Sequence, residues 1–201
     1  MLLPRDFFAR PSVEVAPDLL GCVLEHETAE GLVAVRLTEV EAYAGASDPA
    51  SHAWRGRTAR NAVMFGPPGH LYVYFTYGMH YCCNVVCGPP GSPSAVLVRA
   101  GEVVDGLDLA RSRRTPARSD RDLARGPANL CQALGIEAKQ NGHDLTRPPL
   151  TMTPPELLAD DVRTGPRVGL RLAADRPWRF WLPKEPSVST YRPAVSRRRG
   201  P

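Results

Sequence analysis

Glu41 is the residue of this chain whose neighbours best suit it to move a proton. It stands in Thr38-Glu39-Val40-Glu41-Ala42-Tyr43, after a run in which Val33, Val35 and Leu37 alternate with Leu32, Ala34 and Arg36. That period of two predicts a strand over 32–43. In that register Glu39, Glu41 and Tyr43 continue the face begun by the three apolar side chains. A carboxylate there must be paired, hydrated or used, because an unpaired buried charge is too costly to keep. A strand end open to solvent would carry the same glutamates with no function. Two carboxylates also suggest sugar hydrolysis: Glu39 and Glu41 would lie about 7 Å apart, at the short end of the separation in inverting enzymes. Side chains on one strand face run parallel, however, rather than flanking a scissile bond.

A second concentration of chemistry is aromatic. Tyr72, Tyr74, Tyr77 and Tyr81, with His80, fall within ten residues. Tyrosine is a good strand former, so a half-buried sheet explains this much. The same rings could form a stacking platform for a nucleobase, and Tyr77-Gly78-Met79 at a hairpin tip could insert an aromatic into a duplex. His80, Cys82, Cys83 and Cys87 crowd together, but adjacent residues of a strand point to opposite faces. They also lack a second ligand pair at zinc spacing, so structural cysteines are expected. No G-x-G-x-x-G, P-loop or G-x-S-x-G pattern is present, which leaves dinucleotide, nucleotide and serine-hydrolase chemistry without an anchor.

The elements that must position these residues can be read in order. Phe7, Phe8, Val13, Val15, Leu19 and Leu20 pack a short N-terminal segment ending near Gly21, and 22–27 and 32–43 pair through a Glu30-Gly31 turn. The long loop 45–68 carries His52, Trp54, Arg55, Arg57, Arg60 and Asn61; its length suggests function, and Met64 and Phe65 anchor its end. Leu71, Val73 and Phe75 oppose Tyr72, Tyr74 and Thr76 on a strand that returns over 81–86, and 95–99 is a third apolar strand. A helix is expected over 102–111, acidic first and basic last, then a solvated basic loop over 111–125. A second helix is expected over 127–134, with Pro in its first turn and Gly135 after it. Its N-terminal amides, beside Arg125, could hold a phosphate, although packing by Leu130 and Leu134 explains it equally. Closing strands are expected over 168–172 and 178–182. Mostly strands with a few helices point to α+β around an antiparallel sheet.

Composition sets the outer bounds. The chain has 201 residues, enough for one domain (1–201, with 193–201 a basic tail) and one sizeable core. Hydrophobic residues at 43% and charged residues at 23% fit a soluble globular protein. No run reaches membrane-spanning length, and Met1-Leu2-Leu3-Pro4-Arg5-Asp6 has no signal-peptide core. Five cysteines with two adjacent are not a disulfide framework, so a reducing cytoplasm is expected. A net charge of +4 permits nucleic-acid binding without arguing for it, and every basic residue except Lys139 and Lys184 is arginine.

Several segments together resemble the alkyladenine DNA glycosylases, most closely the 3-methyladenine DNA glycosylases of bacterial type. They are Thr38 to Tyr43, then His52, Arg55-Gly56-Arg57-Thr58 and Arg60-Asn61, then the run from Gly69 to Met79 with Asn84 after it. Ala95 to Ala100, Gly126-Pro127 with Leu130 to Leu134, and Pro166-Arg167-Val168-Gly169 extend the likeness, which covers about 7–189. Ala59 departs from the Pro of many relatives. The resemblance implies a single α+β domain around a curved, mainly antiparallel sheet with surrounding helices and long functional loops. It implies no metal or organic cofactor, a monomer, and damaged double-stranded DNA as partner, in the cytoplasm and associated with the nucleoid.

The implied activity is base excision repair: flipping a damaged purine out of the duplex and hydrolysing its N-glycosidic bond. Residue by residue, Glu41 matches the general base for the attacking water, with Arg99 and the carbonyl of Val168 positioning that water. Tyr43, His52 and Tyr74 match the walls of the base pocket, and Asn84 a floor residue that penalises the guanine amino group. Tyr77, with Met79 beside it, matches the residue that fills the gap in the stack. The proposed pocket holds no lysine, so a Schiff-base lyase step is not expected. A binding module using the tyrosines alone, and a hydrolase using Glu39 with Glu41, remain alternatives at this point.

Overall fold

Thirteen residues of strand, Gly31–Tyr43, run through the middle of the molecule, and everything at the candidate site hangs from their second half. The computed structural model describes residues 1–76, 78–156 and 161–194. Helices α1 (Arg5–Phe8) and α2 (Ser12–Asp18) come first, then strands β1 (Val23–Thr28) and β2 (Gly31–Tyr43). After the long loop come β3 (Leu71–Thr76), β4 (His80–Cys87) and β5 (Ser94–Asp105), then helices α3 (Leu107–Arg113) and α4 (Pro127–Leu134). Three short strands, β6 (Leu150–Thr153), β7 (Arg163–Gly165) and β8 (Arg179–Trp181), complete the chain. The curled antiparallel sheet has the order β3-β4-β5-β2-β1-β6, with β8 also beside β2 and β7 beside β8. This is the expected α+β architecture.

The sheet divides at the middle of β2. Residues 31–36 pair with β1, whereas 39–41 pair with β8, while β5 follows the other edge from Ala34 to Tyr43. At the division the ladder carries two opposed bulges. Leu37 pairs with Gly101 and Glu39 with Ala100, so Thr38 is extra on β2; Val40 then pairs with Val98, so Arg99 is extra on β5. A bulge bends a strand and re-aims its side chains. Here the core-facing positions change parity, from Val33, Val35 and Leu37 to Val40 and Ala42. Glu39, Glu41 and Tyr43 therefore do not continue the apolar face, contrary to simple alternation. Gly101 permits the close approach, since a Cβ there would sit 2.3 Å from the Val35 side chain and 2.5 Å from the Arg36 carbonyl.

With that inversion the sheet has two well-defined faces. Leu71, Val73, Cys83, Val85, Val96, Val98, Val40 and Ala42 pack into the core with Phe8, Val15 and Leu19 from the N-terminal helices and Leu130 and Leu134 from α4. Fully burying each large side chain of this kind contributes about 1.5–3 kcal/mol before conformational entropy is counted. The other face carries a register row across four strands: Tyr72 opposite Asn84, Asn84 opposite Leu97, and Leu97 opposite Glu41. The expected segregation of Leu71 and Val73 from Tyr72 and Tyr74 is thus observed. Helix α4 also starts at its Pro and stops at a left-handed Gly135 as expected.

Three expectations are corrected, and one strand is new. Residues 102–105 extend β5 instead of opening a helix: Glu102 pairs with Arg36 in register and by an ion pair of 2.6 Å, and the helix waits for left-handed Gly106. The closing strand pair is β7 with β8, and residues 168–172 instead form a turn through Gly169 at φ 71°. Strand β6, antiparallel to β1, has too short an apolar pattern to announce itself. The basic segment 111–125 is held rather than loose. Arg114 donates to the carbonyl of Leu123 and to Gln132, Arg111 bridges Asp108 and Asp120, and Leu123 and Ala124 reach the core. Most of the basic tail, 195–201, lies outside the described residues, and so does Tyr77.

Far from the site, Asp144 joins the N-terminus to the turn before β6, accepting from Arg5 at 2.6 Å and from the Thr146 amide and hydroxyl at 3.1 and 2.8 Å. Burial alone would raise its pKa, but these donors outweigh it and hold the carboxyl down at about 2. A depressed acid stabilises the fold fully above its unfolded pKa of about 4 and progressively less as pH falls through the folded value. Asp144→Asn is therefore expected to lower the melting temperature by a constant amount from pH 7 to about pH 4, the difference shrinking toward pH 2. A difference that grows in acid would contradict this assignment.

Candidate active site

The row Tyr72–Asn84–Leu97–Glu41 underlies a cavity of about 360 Å³. Its walls come from three directions. The loop after β2 contributes Ser51, His52, Arg60 and Met64; the hairpin β3–β4 contributes Tyr72, Tyr74, Thr76, Cys82 and Asn84; the turn after β7 contributes Val168, Gly169 and Leu170. Tyr43, Leu97, Arg99 and Pro127 close the remainder. Larger hollows of about 590 and 720 Å³ lie elsewhere and contain none of these aromatic walls.

The aromatic side is a fixed cluster. Tyr72 and Tyr74 stack with ring centres 5.6 Å apart, and His52 meets Tyr74 edge-on at 4.5 Å while its Nδ1 lies 3.1 Å from the Tyr72 hydroxyl. Burial, with Arg60 nearby, lowers the His52 pKa, so the imidazole is neutral at pH 7. Asn61, nearly buried, holds the loop in shape: its side chain donates to the carbonyls of His52 and Gly56 and accepts from the Thr58 amide. Asn84 donates to the Tyr72 carbonyl at 3.3 Å.

Glu41 is fully buried, one layer behind this wall. Its Oε1 accepts the Val168 amide at 2.7 Å; its Oε2 accepts the Tyr43 hydroxyl at 2.8 Å and lies 3.4 Å from Arg99 Nη1. Burial and the adjacent carboxylate push the Tyr43 phenol well above its ordinary pKa, which keeps it a donor. A carboxylate has about four acceptor directions. Among the described residues three are engaged, two at Oε2 and one at Oε1. The contact between Val168 and Glu41 is made by the Val168 amide.

Glu39 has a different environment. It accepts from Arg99 Nε at 2.9 Å, Arg179 Nε at 2.7 Å, and the Ser189 amide and hydroxyl at 2.7 and 2.9 Å, and it is completely buried. Burial opposes its ionisation, but the two guanidinium groups and the amide prevail and its pKa lies below the usual carboxylate range. Four donors tie Glu39 into this dry ionic cluster, which argues against its serving as the second carboxylate of a hydrolytic pair.

The structure thus brings Glu41, Arg99, Val168, Tyr43, His52, Tyr74 and Asn84 to one place. Met79 is two-thirds exposed at the β3–β4 turn and borders the 720 Å³ hollow, not this cavity. Among the described residues no group of three metal-ligating side chains converges. Three contributors carry no local signal in the sequence. Arg179 and Ser189 reach Glu39 only through tertiary folding. Arg167, 1% exposed, grips Asp48 with both terminal nitrogens at 2.5 and 2.9 Å, donates to the Ala42 carbonyl, and lies 4.6 Å from the Tyr43 ring centre. Tyr72, by contrast, was legible from its alternation with Val73 beside Tyr74.

Comparisons with known proteins agree with this geometry. A sequence profile of the family described as methylpurine-DNA glycosylase (MPG) matches residues 6–186. A protein of Streptomyces avermitilis is 56% identical, covering 98% of this chain and 95% of its own, and is named, provisionally, a 3-methyladenine DNA glycosylase. Proteins of Leifsonia xyli (56% identical, 94% of this chain and 92% of its own) and Burkholderia cenocepacia (51%, 96% and 94%) bear the same provisional name. By the extent of the profile match and these identities, the chain belongs to the methylpurine-DNA glycosylase family.

Proposed function

We propose that this protein is a monofunctional DNA glycosylase that hydrolyses the N-glycosidic bond of alkylated purines of the 3-methyladenine type after flipping the nucleotide from the duplex, opening base excision repair. The observation that carries this reading is Glu41. A buried carboxylate is held by Tyr43, Val168 and Arg99 directly behind the wall of an aromatic-lined cavity, in a chain of this family.

Flipping costs a few kcal/mol, least for a weakened pair, and Tyr77 together with Met79 offsets part of it by filling the vacated stack. In the cavity the damaged purine lies between Tyr43 and the Tyr74–His52 pair. Neutral His52 offers its Nε2 to the base edge, and Asn84 beneath excludes a guanine amino group. Alkylation leaves the purine cationic, so it departs with little acid assistance. The Glu41 carboxylate takes a proton from the attacking water and stabilises the positive charge that develops on the sugar. Arg99 draws Glu41 into place and, with the Val168 main chain, fixes where that water can sit.

Incubating the protein with methylated duplex DNA in chelator is expected to release free 3-methyladenine, leaving the strand intact until it is treated with alkali. Borohydride should trap no adduct, since Lys139 and Lys184 lie outside the cavity lining. A trapped protein–DNA adduct, or strand cleavage without alkali, would refute hydrolysis by water. A pure binding module would release no base at all.

A further inference from the structure

The segment 187–192 lies beyond the residues matched by the family profile, yet it is built into the site. Ser187 Oγ lies 2.9 Å from the Thr38 hydroxyl, at the bulge of β2. Arg125 Nε donates to the Val188 carbonyl at 3.0 Å, and the Gly169 amide donates to the Arg192 carbonyl at 2.9 Å. Between these fastenings Ser189 touches three of the four members of the buried ionic cluster, Glu39, Arg99 and Arg179. Its amide and hydroxyl donate to Glu39, its hydroxyl oxygen lies 3.4 Å from Arg99 Nη2, and its carbonyl accepts from Arg179 at 2.7 Å.

We infer that Ser189 is a positioning residue for excision: the 187–192 strap, through Ser189 and Glu39, aims the Arg99 guanidinium at Glu41. Arg99 is the extra residue of the β5 bulge, so the ladder does not by itself set its direction. Its Nε is held by Glu39 and its Nη2 by Ser189, which leaves Nη1 directed at Glu41. Among the described residues, Glu39 Oε2 accepts only the Ser189 amide. Loosening the strap would free that oxygen to compete for Arg99, drawing the guanidinium from Glu41. A buried charged acceptor that loses a donor rearranges at substantial cost. Two carboxylates and two guanidinium groups make the cluster neutral overall, so a small change in their pairing moves charge directly at the reacting end.

The inference rests on the glycosylase reading. It is tested by single-turnover excision from methylated duplex, with affinity for the same duplex measured in parallel. Ser189→Ala is expected to slow excision about tenfold, the scale of one hydrogen bond to a charged group, with affinity unchanged. Ser189→Thr, which keeps both donors, should restore the rate. In an Arg99→Gln background Ser189→Ala should cost nothing further, because coupled residues are not additive. Arg125→Gln loosens the strap from outside the cluster and carries the test should Ser189→Ala not fold. A wild-type rate in Ser189→Ala, or the same tenfold loss with and without Arg99, overturns the inference alone. A wild-type protein that releases no base overturns the glycosylase reading and this inference with it.

Discussion

Glu41→Gln is expected to bind lesion-containing duplex as tightly as the wild type while its single-turnover excision falls by about 10²-fold or more, the usual scale for losing a general base. The amide keeps the size of the carboxyl: its oxygen can still accept from the Val168 amide while its NH2 donates to the Tyr43 hydroxyl oxygen, so the packing around it survives. What disappears is the proton acceptor and the negative charge beside the reacting sugar. Glu39→Gln would be a poor control, because Glu39 holds Arg99, Arg179 and Ser189 together in a dry site. Glu27→Gln, exposed on β1, is the appropriate one and should excise at the wild-type rate. A Glu41→Gln protein that releases base nearly as fast as the wild type would remove Glu41 from the mechanism.

The second large effect is on stability. Arg167→Met is expected to cost roughly 3–5 kcal/mol, the scale for breaking a buried ion pair by deleting one partner. That is a large part of the 5–15 kcal/mol that holds a typical domain folded, and at 2–4 °C per kcal/mol for a chain of this length it lowers the melting temperature by about 6–20 °C. The cost arises at Asp48, which is 0% exposed. Burial works against its ionised form, yet Arg167 and the Ala50 and Ala44 amides hold its pKa below the ordinary value. Arg176, at 3.8 Å, is too distant to replace Arg167 fully.

The pH dependence supplies a sign. In the wild type Asp48 stabilises the fold above its unfolded pKa of about 4, and that contribution fades as pH falls. Without Arg167, desolvation raises the Asp48 pKa, so the folded state favours the protonated acid and the variant should lose stability as pH rises from 4 toward 7. Adding Asp48→Asn should recover part of the loss, since no buried charge is then stranded. Equal melting temperatures for wild type and Arg167→Met at pH 7 would show the pair to be inert.

Period-two alternation was enough to place the first half of β2 and the two faces of β3, the Glu30-Gly31 turn joined β1 to β2, and a first-turn proline with a terminal glycine bounded α4. It failed where side-chain pattern and ladder geometry part company. Nothing between Leu37 and Val40 reports that Thr38 and Arg99 are each surplus to their strands, so alternation assigned Glu41 to the core face. The acidic start at Glu102 looked helical because charge order alone cannot distinguish a helix terminus from a strand edge whose charges pair across to Arg36. The pocket residues came from motif resemblance, whereas Asp48, Arg167, Arg179 and Ser189 act through contacts 119 to 150 positions apart in sequence, which no local reading contains.

All five cysteines are buried and unpaired. Burial pushes the thiol of Cys22 up to about 12 and that of Cys82, beside the pocket, up to about 11, and it raises those of Cys87 and Cys131 as well. The nucleophile in thiol chemistry is the thiolate, so these four groups are held in their unreactive form at neutral pH. Electrophiles that methylate DNA also attack exposed sulfur. A repair protein needed when such agents are abundant therefore keeps its sulfur nucleophiles packed away from them, and is less open to self-inactivation by the damage it answers.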